Sequence, residues 1–210
     1  MNVSPAKENI LKRIREALAH TTPMPFPQSE KNQAVYPPPG QEKEIEFAEQ
    51  FTRLQGKFIY CINRQELAFQ FASLVRKQDW APVYCAENKL IDLLGEPLTD
   101  RLTTTDLAGC QVAVTSCEYL VARTGSILLS SAQQQGRTAS VYAPIHICIA
   151  YTHQVVEDIA DGLEKVLLQN PTYPSLLTLA TGPSRTADIE KTLVVGVHGP
   201  KEVFCFLIDQ

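Results

Sequence analysis

Short apolar runs, too brief to make a helix, alternate along this chain with stretches whose apolar residues recur every three or four positions, and that alternation restricts the folds open to it. Residues 57–61, 82–85, 111–115, 127–130, 141–151, 176–180, 193–197 and 203–208 read as strands. Residues 41–55, 63–77, 87–94 and 155–168 read as amphipathic helices, with Phe47, Phe51, Leu67, Phe71, Leu163 and Val166 among the inward positions. Strands that alternate with helices predict an α/β fold with a mainly parallel sheet covered by helices. The run Leu176-Leu177-Thr178-Leu179-Ala180 is nearly uniform, which fits a strand buried on both faces. At 210 residues and 44% hydrophobic content the chain can bury one substantial core.

The beginning of the chain differs in kind. Residues 4–20 predict a helix capped by Ser4, opened by Pro5 and striped by Ile10, Leu11, Ile14 and Leu18. So narrow a stripe needs a partner surface, either on its own domain or on a second subunit in a homo-oligomer. Residues 21–40 then hold Pro23, Pro25, Pro27, Pro37, Pro38 and Pro39, which forbid regular helix or central strand and predict an extended linker. The expected division is therefore an appendage over 1–40 and a domain over 41–210.

Charge and cysteine usage exclude several classes of function. A net charge of −4 with no clustered basic face argues against a nucleic-acid surface. No apolar run has membrane-spanning length, and residues 1–20 are too charged for a signal peptide, so a cytoplasmic protein is expected. Cys61, Cys85, Cys110, Cys117, Cys148 and Cys205 are dispersed through apolar runs with no C-x-x-C pair, which predicts buried thiols rather than a zinc or iron–sulfur site.

The densest polar stretch is 181–200. Gly182-Pro183 breaks the preceding strand, Ser184 or Thr186 can cap a short helical turn carrying Asp188 and Glu190, and a strand over 193–197 leads into His198-Gly199-Pro200. Ligands of parallel α/β sheets sit beyond the carboxyl ends of strands, and both loops here follow a strand. Two readings stand: these residues line a ligand site, or Arg185 pairs with Asp188 or Glu190 and the glycines only serve the turns. Upstream, Thr124-Gly125-Ser126 is a small-residue turn where a backbone can approach a ligand. His146 faces opposite to Ile145, Ile147 and Ile149, as a hydrogen-bonded structural residue or as a catalyst. A serine hydrolase built from Ser184, His198 and Asp188 lacks the second glycine and the spacing of a nucleophile elbow.

The segment from Thr181 to Glu190, followed by Gly196-Val197-His198-Gly199-Pro200, resembles the signature of the LUD-domain family in its lactate-utilisation protein C branch. Thr124-Gly125-Ser126 and Pro144-Ile145-His146-Ile147 are similar to two further family segments, and the resemblance runs from about Glu44 to Asp209. It implies a three-layer αβα fold of the NagB/RpiA/CoA transferase-like kind, shared with sugar-phosphate isomerases and coenzyme A transferases. It also implies membership of a system oxidising L-lactate to pyruvate, whose partner subunits carry the iron–sulfur clusters while this chain binds no cofactor or metal directly. One departure is Arg123, where the family commonly has an acidic residue before the turn; Glu118 is the nearby carboxylate that can stand in.

Two functional readings follow. In the first, the chain is a substrate-handling subunit: Arg185 and Arg137 hold a small carboxylate, and His198 and His146 are the acid–base candidates. Ser184, Asp188, Thr124 and Ser126 complete the pocket, with Gly125, Gly182 and Gly199 allowing backbone approach. In the second, argued from fold analogy, it acts alone on a sugar phosphate or coenzyme A-linked substrate. Glu118 is then nucleophile or base, and the arginines bind phosphate.

Overall fold

The protein is described from a computed structural model over residues 5–19, 40–95, 98, 100–170, 172–187 and 193–209. It divides into two compact units, Met1–Pro38 and Pro39–Gln210. In the first, α1 (Pro5–Leu18) carries the expected stripe and buries none of its residues. Ser4 and nearly all of the proline-rich stretch lie outside the described residues, as do Asp188 and Glu190.

The second unit opens with α2 (Lys43–Arg53), β1 (Lys57–Cys61), α3 (Arg64–Lys77), β2 (Val83–Cys85), α4 (Asn88–Leu94), β3 (Leu102–Thr103) and β4 (Val112–Thr115). It continues through β5 (Tyr119–Val121), β6 (Ser126–Ser130), α5 (Ala139–Tyr142) and β7 (Ile145–Tyr151) to a 3-10 turn at Thr152–Gln154. It ends with β8 (Val155–Val156), α6 (Ile159–Gln169), β9 (Leu177–Ala180), β10 (Arg185–Ala187), β11 (Leu193–Val195) and β12 (Glu202–Ile208). Helix boundaries follow local chemistry. Asn63 Oδ1 accepts the Glu66 amide at 2.8 Å to start α3, and Gly95 closes α4. After α2 the left-handed residue is Gln55.

Six strands form an all-parallel sheet in the order β1-β12-β7-β4-β2-β3. One face is covered by α3 and α4, where Phe71, Leu67, Leu90 and Leu94 pack on Val112, Val114, Ile147 and Ile149. The other face packs Cys148, Ala150, Val203 and Cys205 against α2 and a second, four-stranded sheet in the order β8-β5-β6-β9. On α2, Phe47 and Phe51 are fully buried and stacked at 5.3 Å; truncating either to alanine costs about 3–5 kcal/mol. The far face of the second sheet is closed by α6 through Val166, Ile159 and Leu163. The fold is thus α/β with a mainly parallel central sheet and flanking helices, and part of one covering layer is itself a sheet.

That second sheet accounts for the departures from expectation. β9 pairs antiparallel with β6 and is half-exposed, with Leu179 38% exposed, so residues 176–180 are not a strand buried on both faces. Val155 and Val156 form β8, paired parallel to β5, instead of opening α6. Residues 185–187 pair antiparallel with 193–195, and the helical turn expected to carry Asp188 and Glu190 lies outside the described residues. Val141 and Tyr142 belong to α5, a turn earlier than the strand they were expected to begin.

One topological fact positions the chemistry. After β2 the chain crosses through α4, which packs on the same face as α3. The connection from β4 to β7 includes α5, whose Ala139, with Ala143 just after the helix, packs against Ala113 on the opposite face. β2 and β4 are neighbours, so the connections leaving their carboxyl ends diverge to opposite sides of the sheet. Ligands of open α/β sheets bind at such a switch point.

Candidate functional site at the carboxyl edge

Glu87 follows β2, and Ser116 and Glu118 follow β4, which places all three at the switch point. Glu87 is 9% exposed and accepts both the Ser116 amide at 2.7 Å and the Ser116 hydroxyl at 2.5 Å. Glu118 accepts the Ser130 hydroxyl at 2.5 Å. Gln133 ties the two halves together: its Nε2 donates to Ser116 Oγ at 3.1 Å, and its Oε1 accepts from the Ser130 amide at 3.1 Å and from Gln135 Nε2 at 3.0 Å. Burial raises the Glu87 carboxyl above its ordinary pKa; hydrogen bonds from Ser116 oppose the rise and the Glu118 charge adds to it. Both carboxyl groups accept hydrogen bonds from neutral hydroxyl or amide donors.

Glu118 also lines a cavity of about 520 Å³ with Cys117, Tyr119, His153, Gln154, Lys165 and Gln169. Its walls are fixed by hydrogen bonds. Gln154 Nε2 donates to the Cys117 and Glu118 carbonyls at 2.7 and 3.2 Å, and Gln169 Nε2 donates to the Tyr119 hydroxyl at 2.7 Å. Lys165 Nζ lies 5.5 Å from the Tyr119 ring centroid. Cys117 is not a thiolate at neutral pH, since its contact with Cys148 and its burial hold it well above the ordinary thiol value. All six cysteines are buried and unpaired.

The residues singled out from sequence gather elsewhere. Pro144 and Pro200 immediately precede β7 and β12, and Lys201 N donates to the Pro144 carbonyl at 2.7 Å. The 196–200 loop is therefore at the amino edge of the parallel sheet. Ser184 N donates to Pro200 O at 2.9 Å and Ser184 Oγ would lie 3.2 Å from a Cβ on Gly199, so the two signature loops do meet. Arg185 donates to the Leu54 carbonyl at 2.8 Å, capping the end of α2. Gly125 and Gly182 converge on the same helix end: a Cβ at Gly125 would lie 2.6 Å from Phe51 N, and one at Gly182 2.8 Å from Leu54 O. Both have positive φ. The backbone that approaches these glycines is the protein's own. Thr124, Ser126 and Thr181 form a hydroxyl chain with both links at 2.8 Å, joining that turn to the loop after β9.

Other residues stand apart. His198 and Arg137 are exposed. His146 is 1% exposed, and its Nε2 shares a hydrogen bond of 2.8 Å with Thr115 Oγ1 while Nδ1 has no partner among the described residues. Burial lowers its pKa from 6.5 to about 4, so it is neutral at physiological pH. Arg123 pairs with Asp158, the N-cap of α6, at 3.1 Å and with Glu157 at 3.5 Å. Glu118 does not stand in for an acid at that turn, because it bonds Ser130 at the far end of β6, about 13 Å of strand from Ser126. Loops that follow β9 and β11 are not at the carboxyl edge because those strands lie outside the parallel sheet. Glu87, His153 and Lys165 were not picked out from sequence; their signal was position just after a parallel strand or on α6, which needs the strand order to read.

The LUD domain family profile matches residues 45–208. This chain belongs to the LUD-domain family. Several of its relatives are named lactate utilization protein C. The lactate utilization protein C of Bacillus subtilis is 34% identical over 101 residues, 47% of this chain and 42% of that protein. That of Deinococcus radiodurans is 34% identical over 103 residues, covering 49% and 48%. An uncharacterized protein of Neisseria meningitidis is 35% identical over 123 residues, covering 59% and 53%. In these matches the chain spans about half the length of each relative. A crystal structure of a duf162 family protein from Deinococcus radiodurans superposes with a TM-score of 0.56 at 20% identity, covering 79% of this LUD chain and 96% of that one. That similarity concerns the fold alone.

Proposed function

We propose that this LUD-domain protein serves lactate utilisation as a cytoplasmic subunit without an iron–sulfur cluster, within a system that oxidises L-lactate to pyruvate. Its partners in that reading are the cluster-bearing subunits, which take the electrons. The names of the relatives support the pathway. The observation that carries the site is the carboxyl-edge cavity, where Lys165 and His153 share walls with Glu118. A lysine ammonium holds a small carboxylate by charge-assisted hydrogen bonds. Glu118, oriented by Ser130, then accepts the hydroxyl proton of a 2-hydroxy acid, with the buried Glu87 network behind it keeping the carboxylate in place. Arg185, Ser184 and Gly125 serve the assembly of the domain in this reading.

The experiment is calorimetric titration of the full chain with L-lactate and pyruvate, joined to growth on L-lactate of a strain that depends on it. Lys165→Ala should weaken both ligands about tenfold. Glu118→Gln should weaken lactate more than pyruvate, because only lactate has a hydroxyl to donate. Normal growth with both variants, together with no saturable binding of either acid, would refute the proposal.

A further inference from the structure

The apolar stripe of α1 is open to solvent, with Ile10 59% exposed, Ile14 48% and Leu18 76%. At about 3.6 residues per turn, Ile10, Leu11, Ile14 and Leu18 share one sector of the helix, and Ala6 and Ala17 lie along one margin of it. Arg13 borders the sector beside the alanines, and Arg15 borders it beside Leu11. The opposite pole holds Lys12 and Glu16, an i,i+4 pair at 4.0 Å. Lys7 falls inside the sector but in the first turn, where a long aliphatic stem carries its ammonium past the end of the apolar row. Lys7, Lys12, Arg13 and Arg15 outnumber Glu8 and Glu16, so α1 is cationic in a chain whose net charge is −4.

An apolar sector with an arginine on each margin, and an acid paired on the far side, is complementary to an anionic phospholipid surface. The apolar row enters the acyl boundary while the marginal guanidiniums stand at the depth of the lipid phosphates, which they can bind in bidentate fashion. Half of the residues of α1 are polar, a balance that suits a helix lying in the interface, and no helix among the described residues is long and apolar enough to cross a membrane. A second copy is a poorer occupant. Pairing two helices along this sector, parallel or antiparallel, sets an arginine-bearing margin against another arginine-bearing margin, and like charges there oppose association. Screening confines the repulsion between the lipid and the acidic remainder of the chain to about 10 Å from the surface. We propose that α1 lies flat on anionic phospholipid membranes, with Ile10, Leu11, Ile14 and Leu18 in the acyl boundary and Arg13 and Arg15 on the phosphates. The surface is independent of the lactate reading, because no residue of α1 lines the cavity at Glu118.

The test sediments the full chain with sucrose-loaded vesicles of equimolar phosphatidylglycerol and phosphatidylcholine, with phosphatidylcholine vesicles as the control. The anionic vesicles should bind about tenfold more tightly or better, and added salt should weaken that binding. Arg13→Gln and Arg15→Gln should each weaken it about fivefold, and Ile10→Gln combined with Ile14→Gln about tenfold or more. Arg13→Glu combined with Glu16→Arg preserves composition and net charge but moves a cation from the margin to the pole, and should weaken binding at least as much as Arg13→Gln. All of these positions are exposed, and circular dichroism verifies that each variant is folded. The proposal is overturned by absence of binding to the anionic vesicles, by equal binding to both kinds, or by unchanged binding of the double isoleucine variant. It is overturned equally if the exchange variant binds as tightly as the parent, which would reduce the attraction to net charge alone. Sedimentation velocity without lipid should show no dimer that the double isoleucine variant dissociates; finding one would assign the apolar sector to a second copy and refute the lipid surface.

Discussion

Lowering the pH should destabilise this protein through one residue, His146. Its ring is buried where β7 meets β4, and among the described residues Thr115 Oγ1 is its one hydrogen-bond partner and Nδ1 has no acceptor for a proton. Burial therefore opposes the imidazolium and depresses the pKa from 6.5 to about 4. A base whose folded pKa is depressed contributes stability that is complete above the unfolded value and is lost as pH falls toward the folded one. The full effect is about 3 kcal/mol, at about 1.36 kcal/mol per pH unit between the two values, and about 2 kcal/mol of it is lost between pH 7.5 and 5. His146→Gln removes the titration. The variant should be less stable at pH 7.5 by about 1–3 kcal/mol, for the lost packing and hydrogen bond. Urea unfolding of both proteins at pH 7.5, 6.5, 5.5 and 5 measures the gap, which should close by about 2 kcal/mol toward the acid end. Parallel stability curves over that window would show that the histidine is not held neutral by burial.

Two further outcomes follow from the end of α2. Gly125→Ala should destabilise by about 2–5 kcal/mol by thermal or urea unfolding, since the new methyl meets the Phe51 amide at a backbone with φ +60. A loss under about 1 kcal/mol would mean that the helix end yields. Arg185→Ala should cost about 1 kcal/mol through the lost bond to the Leu54 carbonyl, and in the proposed function it leaves lactate binding by the folded chain unchanged; loss of binding at unchanged stability would return the arginine to the ligand site.

How far the sequence could be read differs from residue to residue. The periodicities of α3 and α4 and the run of β12 were legible because each buried surface is written within a single element: Leu67, Phe71 and Val75 recur at helical spacing and face one cluster. The side on which His146 lies was legible for the same reason, since strand residues alternate and Ile147 and Ile149 share one cluster while Cys148 and Ala150 share another. The density of glycine and polar residues over 181–200 was also plain. Its meaning was not, because a glycine that admits a ligand and one that admits a helix end obey the same steric rule.

The amino-acid sequence by itself determined the class of fold and the alternation of elements, because local propensity and hydrophobic period act over a few residues at a time, and the family resemblance came separately from the motif over 181–200. Only the tertiary structure decided which sheet each strand joined. β6, β9 and β11 have the same apolar character as the parallel strands, but their pairing lies outside that sheet, and with it the signature loops move away from the carboxyl edge. Strand order also brought Glu87 beside Ser116, two segments separated in the chain by α4 and β3. Pairing is a choice among distant partners that bury similar area, so its outcome is set by how the whole core closes rather than by any one stretch of residues.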